Sequence, residues 1–371
     1  MRLGTDRQGC PCCLFDANLF LPPSLIGGDS DDGAIDLHPQ SEDDDQPCTP
    51  AQALQAIENH VKKIELSEQH NNPVFLLVDT HGHAQLDRPR NEIYAVMNVD
   101  ASSQSHSEEN LSTSVGLKSL TCAVEPADWN ATLEFASGSP EILPALGVHP
   151  WYLADLGEGW LEELEALLIK HPGAIVGEIG LCKMARFVRQ HPEGKAVALG
   201  IQRSVFHQQM LLAARLRRPV SVHCVNQQGI FLEVLEEILS SSPNEDLLQK
   251  FPAAIAMHSF TGTAHQVNEI LKFEGKLSPP RPLFYFGFSH TVNHVMCTSE
   301  KARQKGRDAV KAIPNNRLLA ESDVHSPADL RGGTAGAIAY IAWARGDSIV
   351  DVARTTSENG RAFLESFAIK E

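Results

Sequence analysis

The stretch that decides the fold is Phe75–Asp87, which reads FLLVDTHGHAQLD. Its apolar run ends in Asp79, and His81 and His83 follow with one residue between them. Residues i and i+2 of an extended segment point to the same side, so both imidazoles can reach one metal ion. A histidine after a strand is more often a hydrogen-bonded structural residue, so the rest of the chain has to decide between these interpretations.

Short apolar runs and amphipathic segments alternate from residue 74 towards the C-terminus. Strands that are apolar throughout are typical of parallel sheets covered by helices. About eight such units predict an α/β fold of the (β/α)8 TIM-barrel type, with an open doubly wound sheet as the alternative. No GxGxxG or GxxxxGK[ST] phosphate loop follows the first run, which weakens a nucleotide-binding version of the alternative. The predicted strands are Val74–Val78, Tyr94–Val99, Ser119–Val124, Ile142–Val148, Ala174–Ile179, Pro219–His223, Ala253–His258, Leu283–Phe288 and Arg317–Ala320.

Amphipathic segments with helical spacing lie between several of these runs, and a further helix is predicted to start at Thr49-Pro50. The other predicted helices are Trp160–Lys170, Gly200–Arg217, Gly229–Ser240, Thr263–Phe273 and Thr298–Ala312.

Charge is distributed unevenly along the 371 residues. The net charge is −16, and the first 50 residues carry ten acidic residues against two arginines. We therefore predict a disordered acidic segment over residues 1–50, which could bind a protein partner, and one barrel domain over 51–371 with an inserted loop at about 101–114. The acidic total argues against a surface that grips nucleic acid through basic side chains. The sequence shows no signal peptide and no apolar run of membrane-spanning length, which predicts a soluble cytoplasmic or nuclear protein with no membrane partner.

Ligand-type side chains follow several of the predicted strands, and in a barrel the ends of the strands carry the function. Each is weak alone: Glu178 could form an ion pair, and Asp323 could cap a helix. Histidines and carboxylates buried together cost solvation energy unless they are paired or bind a metal. Their combination therefore predicts a metal centre. The residues at or after the strand ends are Asp79, His81, His83, His149, Glu178, His223, His258 and Asp323.

Metal-assisted hydrolysis is the chemistry that fits these residue types. One or two divalent ions lower the pKa of a water molecule and polarise the bond to be cut. Glu178 can bridge two ions because a carboxylate has two oxygens. Asp323 can both bind metal and accept a proton from the water. No GxSxG motif indicates a competing serine nucleophile.

Six motifs in this order resemble those of the TatD family of metal-dependent deoxyribonucleases, within the amidohydrolase-like TIM barrels. The resemblance runs from about residue 74 to the C-terminus and is closest to a divergent fungal or other eukaryotic branch, some of whose members are named for a protein partner. The motifs are VDTHGH (78–83), GVHPW (147–151), VGEIGL (176–181), QRSVFHQQMLLAARLRRPVSVHC (202–224), MHSFTGT (257–263) and NNRLLAESD (315–323).

The resemblance implies a Mg²⁺, Mn²⁺ or Zn²⁺ site, a DNA substrate cut at single strands or ends, and His149 beside the substrate phosphate. Glu178 and Asp323 would be the catalytic residues. Two departures from the family pattern stand out: the stretch from His83 to Asp87 is two residues longer, and Cys182 replaces the aspartate of Gly-Leu-Asp. The metal ligands implied by the resemblance are His81, His83, Glu178, His223, His258 and Asp323.

Two alternatives stay open at this point. The same barrel could hydrolyse a small amide or ester, which the net charge of −16 and the lack of an evident basic cluster near the barrel mouth favour. Amidohydrolases of that kind place a modified lysine at a strand end, and this chain has none there. The barrel could also be an interaction protein with little activity, although the retention of every ligand argues against it.

Overall fold

The computed structural model describes residues 46–67, 75–86, 115–154, 156–241, 247–277, 279 and 283–366. In this part of the chain, eight strands form one sheet in the order β1 to β8, and each strand pairs with the next in parallel. The strands are β1 Phe75–Gly82, β2 Val115–Cys122, β3 Ile142–Leu146, β4 Ile175–Cys182, β5 Val220–Val225, β6 Ile255–His258, β7 Phe284–Ser289 and β8 Leu318–Glu321.

The sheet closes on itself where β8 meets β1. The backbone N–H of Asp323 donates to the carbonyl of His81 at 3.0 Å, and that of His83 donates to Val324 at 2.8 Å. The buried Asp79 carboxylate adds two bonds, from the backbone N–H of Ser322 at 2.8 Å and from its hydroxyl at 2.7 Å. Closure of an eight-stranded parallel sheet confirms the predicted TIM barrel and is inconsistent with an open doubly wound sheet.

Helices cover the outside of this barrel. The described residues contain ten α-helices, and α1 precedes the first strand. The helices are α1 Pro50–Ser67, α2 Pro126–Ala136, α3 Trp160–Lys170, α4 Arg186–Gln190, α5 Lys195–Arg215, α6 Gln228–Ser240, α7 Ala264–Leu277, α8 Glu300–Ala312, α9 Leu330–Arg345 and α10 Ile349–Leu364.

The helices pack against the strands through apolar side chains on one face, and α6 is an example. Phe231, Val234, Leu235 and Ile238 recur at the spacing of one helix face, and all four are fully buried. The ring of Phe231 lies 6.3 Å, centroid to centroid, from that of Phe284 at the start of β7. Burying such a side chain stabilises the fold by about 1.5–3 kcal/mol, so stripes of this kind hold the strand ends in place.

Five strands differ from their predicted bounds by one or two residues at an end, and β1, β2 and β4 differ by more. Strand β1 was predicted at Val74–Val78 but runs from Phe75 to Gly82, so Asp79 and His81 lie inside it. The sequence predicted β2 at Ser119–Val124, but it begins at Val115, because Lys118 and Ser119 interrupt the apolar pattern while staying in the ladder. Strand β4 was predicted to end at Ile179 but continues to Cys182, since Gly180, Leu181 and Cys182 still pair with β5. Glu178 therefore lies in the middle of β4 rather than next to its end.

Some predictions fall outside the described residues, namely the strand Tyr94–Val99, the insertion at 101–114 and nearly all of the acidic segment over 1–50. No helix among the described residues is long and apolar enough to span a membrane.

Candidate metal centre

The C-terminal end of the barrel brings all seven predicted site residues together. Glu178 lies at the centre and is 1% exposed. Its Oε2 is 3.3 Å from Nε2 of His81 and 3.4 Å from Nε2 of His83. The end of β1 thus brings two imidazole nitrogens close to one carboxylate oxygen of Glu178 on β4.

The other oxygen of Glu178 faces a different set of imidazoles. Oε1 lies 3.0 Å from Nδ1 of His223, 3.4 Å from Nε2 of His149 and 3.9 Å from Nε2 of His258. A carboxylate with nitrogen donors gathered separately around each oxygen has the geometry of a bridging ligand. The sets whose donor atoms lie within 4.8 Å of one another are His81, His83 and Glu178; His149, Glu178 and His223; and His81, His258 and Asp323.

Asp323 lies two residues after the end of β8 and faces the same group of histidines. Its Oδ2 is 3.7 Å from Nε2 of His258 and accepts a hydrogen bond from the Ser259 hydroxyl at 3.3 Å. The backbone of Asp323 is left-handed, with φ 51°, a conformation that aspartate and asparagine tolerate better than most residues. Burial raises the pKa of Asp323 to about 6, although His258 and His83 lower it in part.

Three of the histidines have a partner on the ring nitrogen that points away from Glu178 and Asp323. Nδ1 of His83 is 2.8 Å from the carbonyl of Cys122, and Nδ1 of His81 is 2.8 Å from the Ser221 hydroxyl. Nδ1 of His258 is 3.1 Å from Oε2 of Glu321. Partners of this kind fix the ring and its tautomer, so that Nε2 carries the lone pair towards a metal.

Glu321 is a functional residue that the sequence analysis did not assign. It is fully buried, and its Oε2 also accepts the backbone N–H of Ser259 at 2.8 Å. A Cβ at Gly287 on the adjacent strand would lie 1.7 Å from Oε1 of Glu321, so only glycine leaves room for this carboxylate. Its signal in the sequence is its position two residues before Asp323 on the last strand.

The lengthened stretch after His83 contains a short 3₁₀ turn, Ala84–Leu86. This turn supports His83. Gln85 is buried there, and its Nε2 donates to the carbonyl of Cys122 at 2.8 Å. Its Oε1 accepts a hydrogen bond from the hydroxyl of Thr121. Because the Cys122 carbonyl also contacts His83, the lengthened turn locks the strand end that orients this ring.

His149 differs from the other histidines in its tautomer. Its Nδ1 accepts the backbone N–H of Trp151 at 3.3 Å, so the neutral ring carries its proton on Nε2, which faces Glu178. Burial lowers the pKa of His149 to about 4, which keeps the ring neutral. In this tautomer, Nε2 of His149 is a hydrogen-bond donor towards Glu178 rather than a lone-pair donor.

The donor set fits a divalent metal. Burial raises the pKa of Glu178, but the surrounding histidines outweigh that effect and leave the pKa well below its ordinary value, so the carboxylate is ionised. Among the described residues, Oδ1 of Asp323 and Oε1 of Glu178 are buried without a hydrogen bond of regular geometry. Buried anionic oxygens without such partners are costly unless a cation compensates them.

Comparison with known proteins agrees with this geometry. The model of the TatD-related DNase family matches residues 78–365, which is more than three quarters of the chain. This chain belongs to the TatD family. Membership confirms the resemblance and the enzyme class expected from it, a metal-dependent hydrolase of the TatD type.

Individual TatD-type relatives are distant in sequence. The chain is 25% identical to Cut9-interacting protein scn1 of Schizosaccharomyces pombe, over 72% of this chain and 96% of that protein. It is 27% identical to the 3'-5' ssDNA/RNA exonuclease TatD of Pectobacterium atrosepticum, over 58% of this chain and 75% of that protein. The crystal structure of YJJV, a TatD homologue from Escherichia coli, superposes with a TM-score of 0.56 at 20% identity, covering 79% of this chain and 98% of the other, and shows the shared fold.

Cys182, which stands where the TatD family usually has an aspartate, lies beside the metal centre. It is 1% exposed, and its Sγ accepts a hydrogen bond from Nε1 of Trp151 at 3.3 Å. Burial raises the pKa of the Cys182 thiol, but contact with His223 outweighs this effect and lowers the pKa overall. The polar contact expected from the family aspartate is thus replaced by a thiol contact to His223.

Glu321→Gln provides a test of the support around His258. We expect it to weaken binding of a divalent metal about 10- to 100-fold, because His258 loses the carboxylate that orients it and raises its basicity. The measurement is a competition titration with a coloured chelator.

The matched control is Glu274→Gln, a change at another buried glutamate, which pairs with Arg317 on the barrel exterior. We expect this control to lower the thermal stability and leave metal affinity unchanged. Equal metal affinity in Glu321→Gln and the wild type would contradict the role assigned to Glu321.

Proposed function

We propose that this TatD protein is a metal-dependent phosphodiesterase that removes nucleotides from the ends of single-stranded DNA. The observation that carries the proposal is the position of Glu178, whose two oxygens face separate groups of imidazoles beside Asp323. Two cations side by side are the usual device for cutting phosphodiesters, since they stabilise both the attacking and the leaving oxygen. The Pectobacterium relative, which is named an ssDNA/RNA exonuclease, supports the choice of substrate.

Two ions are proposed, and Glu178 would help to hold both. A bound divalent ion would polarise the phosphodiester and lower the pKa of the attacking water. We propose Zn²⁺ ahead of Mn²⁺ and Mg²⁺, because imidazole-rich sites suit zinc whereas Mn²⁺ and Mg²⁺ prefer oxygen ligands. The proposed ligands are His81, His83, Glu178, His223, His258 and Asp323.

Two residues would act on the substrate side. Asp323 has one buried oxygen without a hydrogen bond among the described residues, and it can accept the proton that the attacking water loses. His149 presents a neutral Nε2–H, which can donate to a non-bridging oxygen of the phosphate.

The experiment is a cleavage assay on protein loaded with Mn²⁺ or Zn²⁺. We expect a 5'-labelled single-stranded oligonucleotide to shorten stepwise from its 3' end, with one to two equivalents of metal bound per chain, and the chelated protein to be inactive. The control panel contains a nitrophenyl ester and a nitroanilide of small acids. Turnover of those substrates without cleavage of DNA or RNA would replace the proposal with the small-substrate hydrolase.

The acidic segment over residues 1–50 stays a predicted site for a protein partner. Nearly all of this segment lies outside the described residues.

A further inference from the structure

A basic groove lies at the rim of the barrel mouth in this otherwise acidic protein. It has a volume of about 420 Å³ and is formed by the first residues of α7 and the first turns of α8. The helices of a TIM barrel begin at the face where the strands end, so the groove opens on the same face as the metal centre. Its lining residues are Thr263, Ala264, His265, Lys301, Gln304, Lys305 and Asp308.

The charge of this rim is opposite to that of the whole chain. Helix α8 reads EKARQKGRDAVKA and carries five basic residues against two acidic ones, while the chain carries −16. Lys301 and Lys305, one turn apart on α8, are both exposed and line the groove. The one carboxylate in the lining, Asp308, accepts a hydrogen bond from Gln304 at 2.7 Å. The sequence alone did not place these lysines at the barrel mouth, because they lie on a helix rather than at the end of a strand.

The groove is tied directly to the loop that carries His258. Nζ of Lys305 donates to the carbonyl of Thr261 at 2.9 Å, three residues beyond that histidine. Nδ2 of Asn293 donates to the carbonyl of Phe260 in the same loop at 2.9 Å. Three residues span at most about 11 Å. Lys305 therefore lies within about 14 Å of the backbone of His258, a distance that a few nucleotides of a single strand can span.

We infer that this groove binds the phosphate backbone of the single strand a few nucleotides away from the bond that is cut. The inference rests on the proposed function. It adds where a substrate longer than a few nucleotides is bound. Lysines spaced along a helix suit successive phosphates, because each ammonium is a point charge with rotatable donors. In a chain with a net charge of −16, a local basic patch favours the approach of a polyanion.

The test removes two charges from the groove in Lys301→Gln/Lys305→Gln. Binding of a labelled 12-nucleotide single strand is measured as a function of salt, in an Asp323→Asn background with metal present so that the strand stays intact. Loss of two phosphate contacts should reduce the slope of log K against log salt by about 1.4 and weaken binding by about 25-fold near 0.1 M salt. The kcat/KM for a dinucleotide should stay within about twofold, because a dinucleotide does not reach the groove.

The matched control is Lys272→Gln/Lys276→Gln, which removes the same charge from the last turns of α7, at the opposite face of the barrel. We expect it to leave the salt slope and the binding constant near the wild-type values. The inference is overturned if the groove variant binds and cuts the 12-nucleotide strand like the wild type, or if both double variants lose affinity equally. If the wild type neither binds nor cuts any nucleic acid, the proposed function fails and the inference fails with it.

Discussion

Replacement of Glu178 by glutamine should abolish both the activity and the stoichiometric binding of metal. Among the residues that the structure describes, this glutamate is the carboxylate that contacts both groups of imidazoles, with oxygen–nitrogen distances from 3.0 to 3.9 Å. A neutral amide keeps the shape but cannot bridge two cations. We expect kcat/KM for oligonucleotide cleavage to fall at least about 10³-fold, since several kcal/mol of charge stabilisation are lost and each 1.4 kcal/mol is tenfold.

Metal content by elemental analysis gives the second readout for Glu178→Gln, and we expect less than half of the wild-type equivalents. The isosteric change should preserve the circular dichroism spectrum of the fold. Glu274→Gln serves again as the control, because it changes a buried glutamate without touching the centre. Full activity in Glu178→Gln would show that the cleavage comes from another site or from a contaminant.

The sequence was sufficient to place every proposed ligand at one end of the barrel. The ends of parallel strands meet at one face whatever the loops do, so His81, Glu178, His223 and Asp323 could be brought together from their order in the chain alone. The eight-stranded barrel followed from the alternation of apolar runs and helices. Tyr94–Val99 lies outside the described residues, so the strand predicted there stays a prediction.

The partners of the ring nitrogens could not be assigned in the same way. Ser221 lies two residues before His223 on β5, yet it contacts His81, which is four strands away across the barrel. Such a contact depends on the stagger of the strands, which no local sequence pattern encodes. Gln85 supports His83 through a turn that is two residues longer than the family pattern, so its role also depends on the folded path of the chain.

The electrostatics of the rim also depend on the fold. Net charge predicts how the whole surface behaves, but helix α8 gathers basic residues beside a centre whose ligands come from other strands. The net charge of −16 favours a small-molecule substrate, whereas the placement of Lys301 and Lys305 favours an anionic one. A local patch matters more than the total because charges farther apart than about 10 Å are largely screened in salt.

Replacement of Asp323 by asparagine should separate proton transfer from the binding of metal and substrate. Asparagine is the suitable substitute because the backbone at this position has φ 51°, which asparagine tolerates and a β-branched residue would not. We expect kcat to fall by about 10²- to 10⁴-fold, the usual contribution of a general base, while KM stays within about threefold. Stopped assays over a range of substrate concentrations give both constants.

The pH dependence decides whether Asp323 acts as the base or only as a ligand. With Asp323 as the base, the wild-type rate rises with pH and then levels off once the carboxylate is ionised. The residual rate of Asp323→Asn should instead keep rising in proportion to hydroxide, because no side chain takes the proton. A variant that keeps the wild-type pH profile and loses rate only in step with lost metal would make Asp323 a ligand without a role in proton transfer. The His81, His83 and Glu178 donors are left in place by this substitution, so the metal content of the variant can be measured independently of its rate.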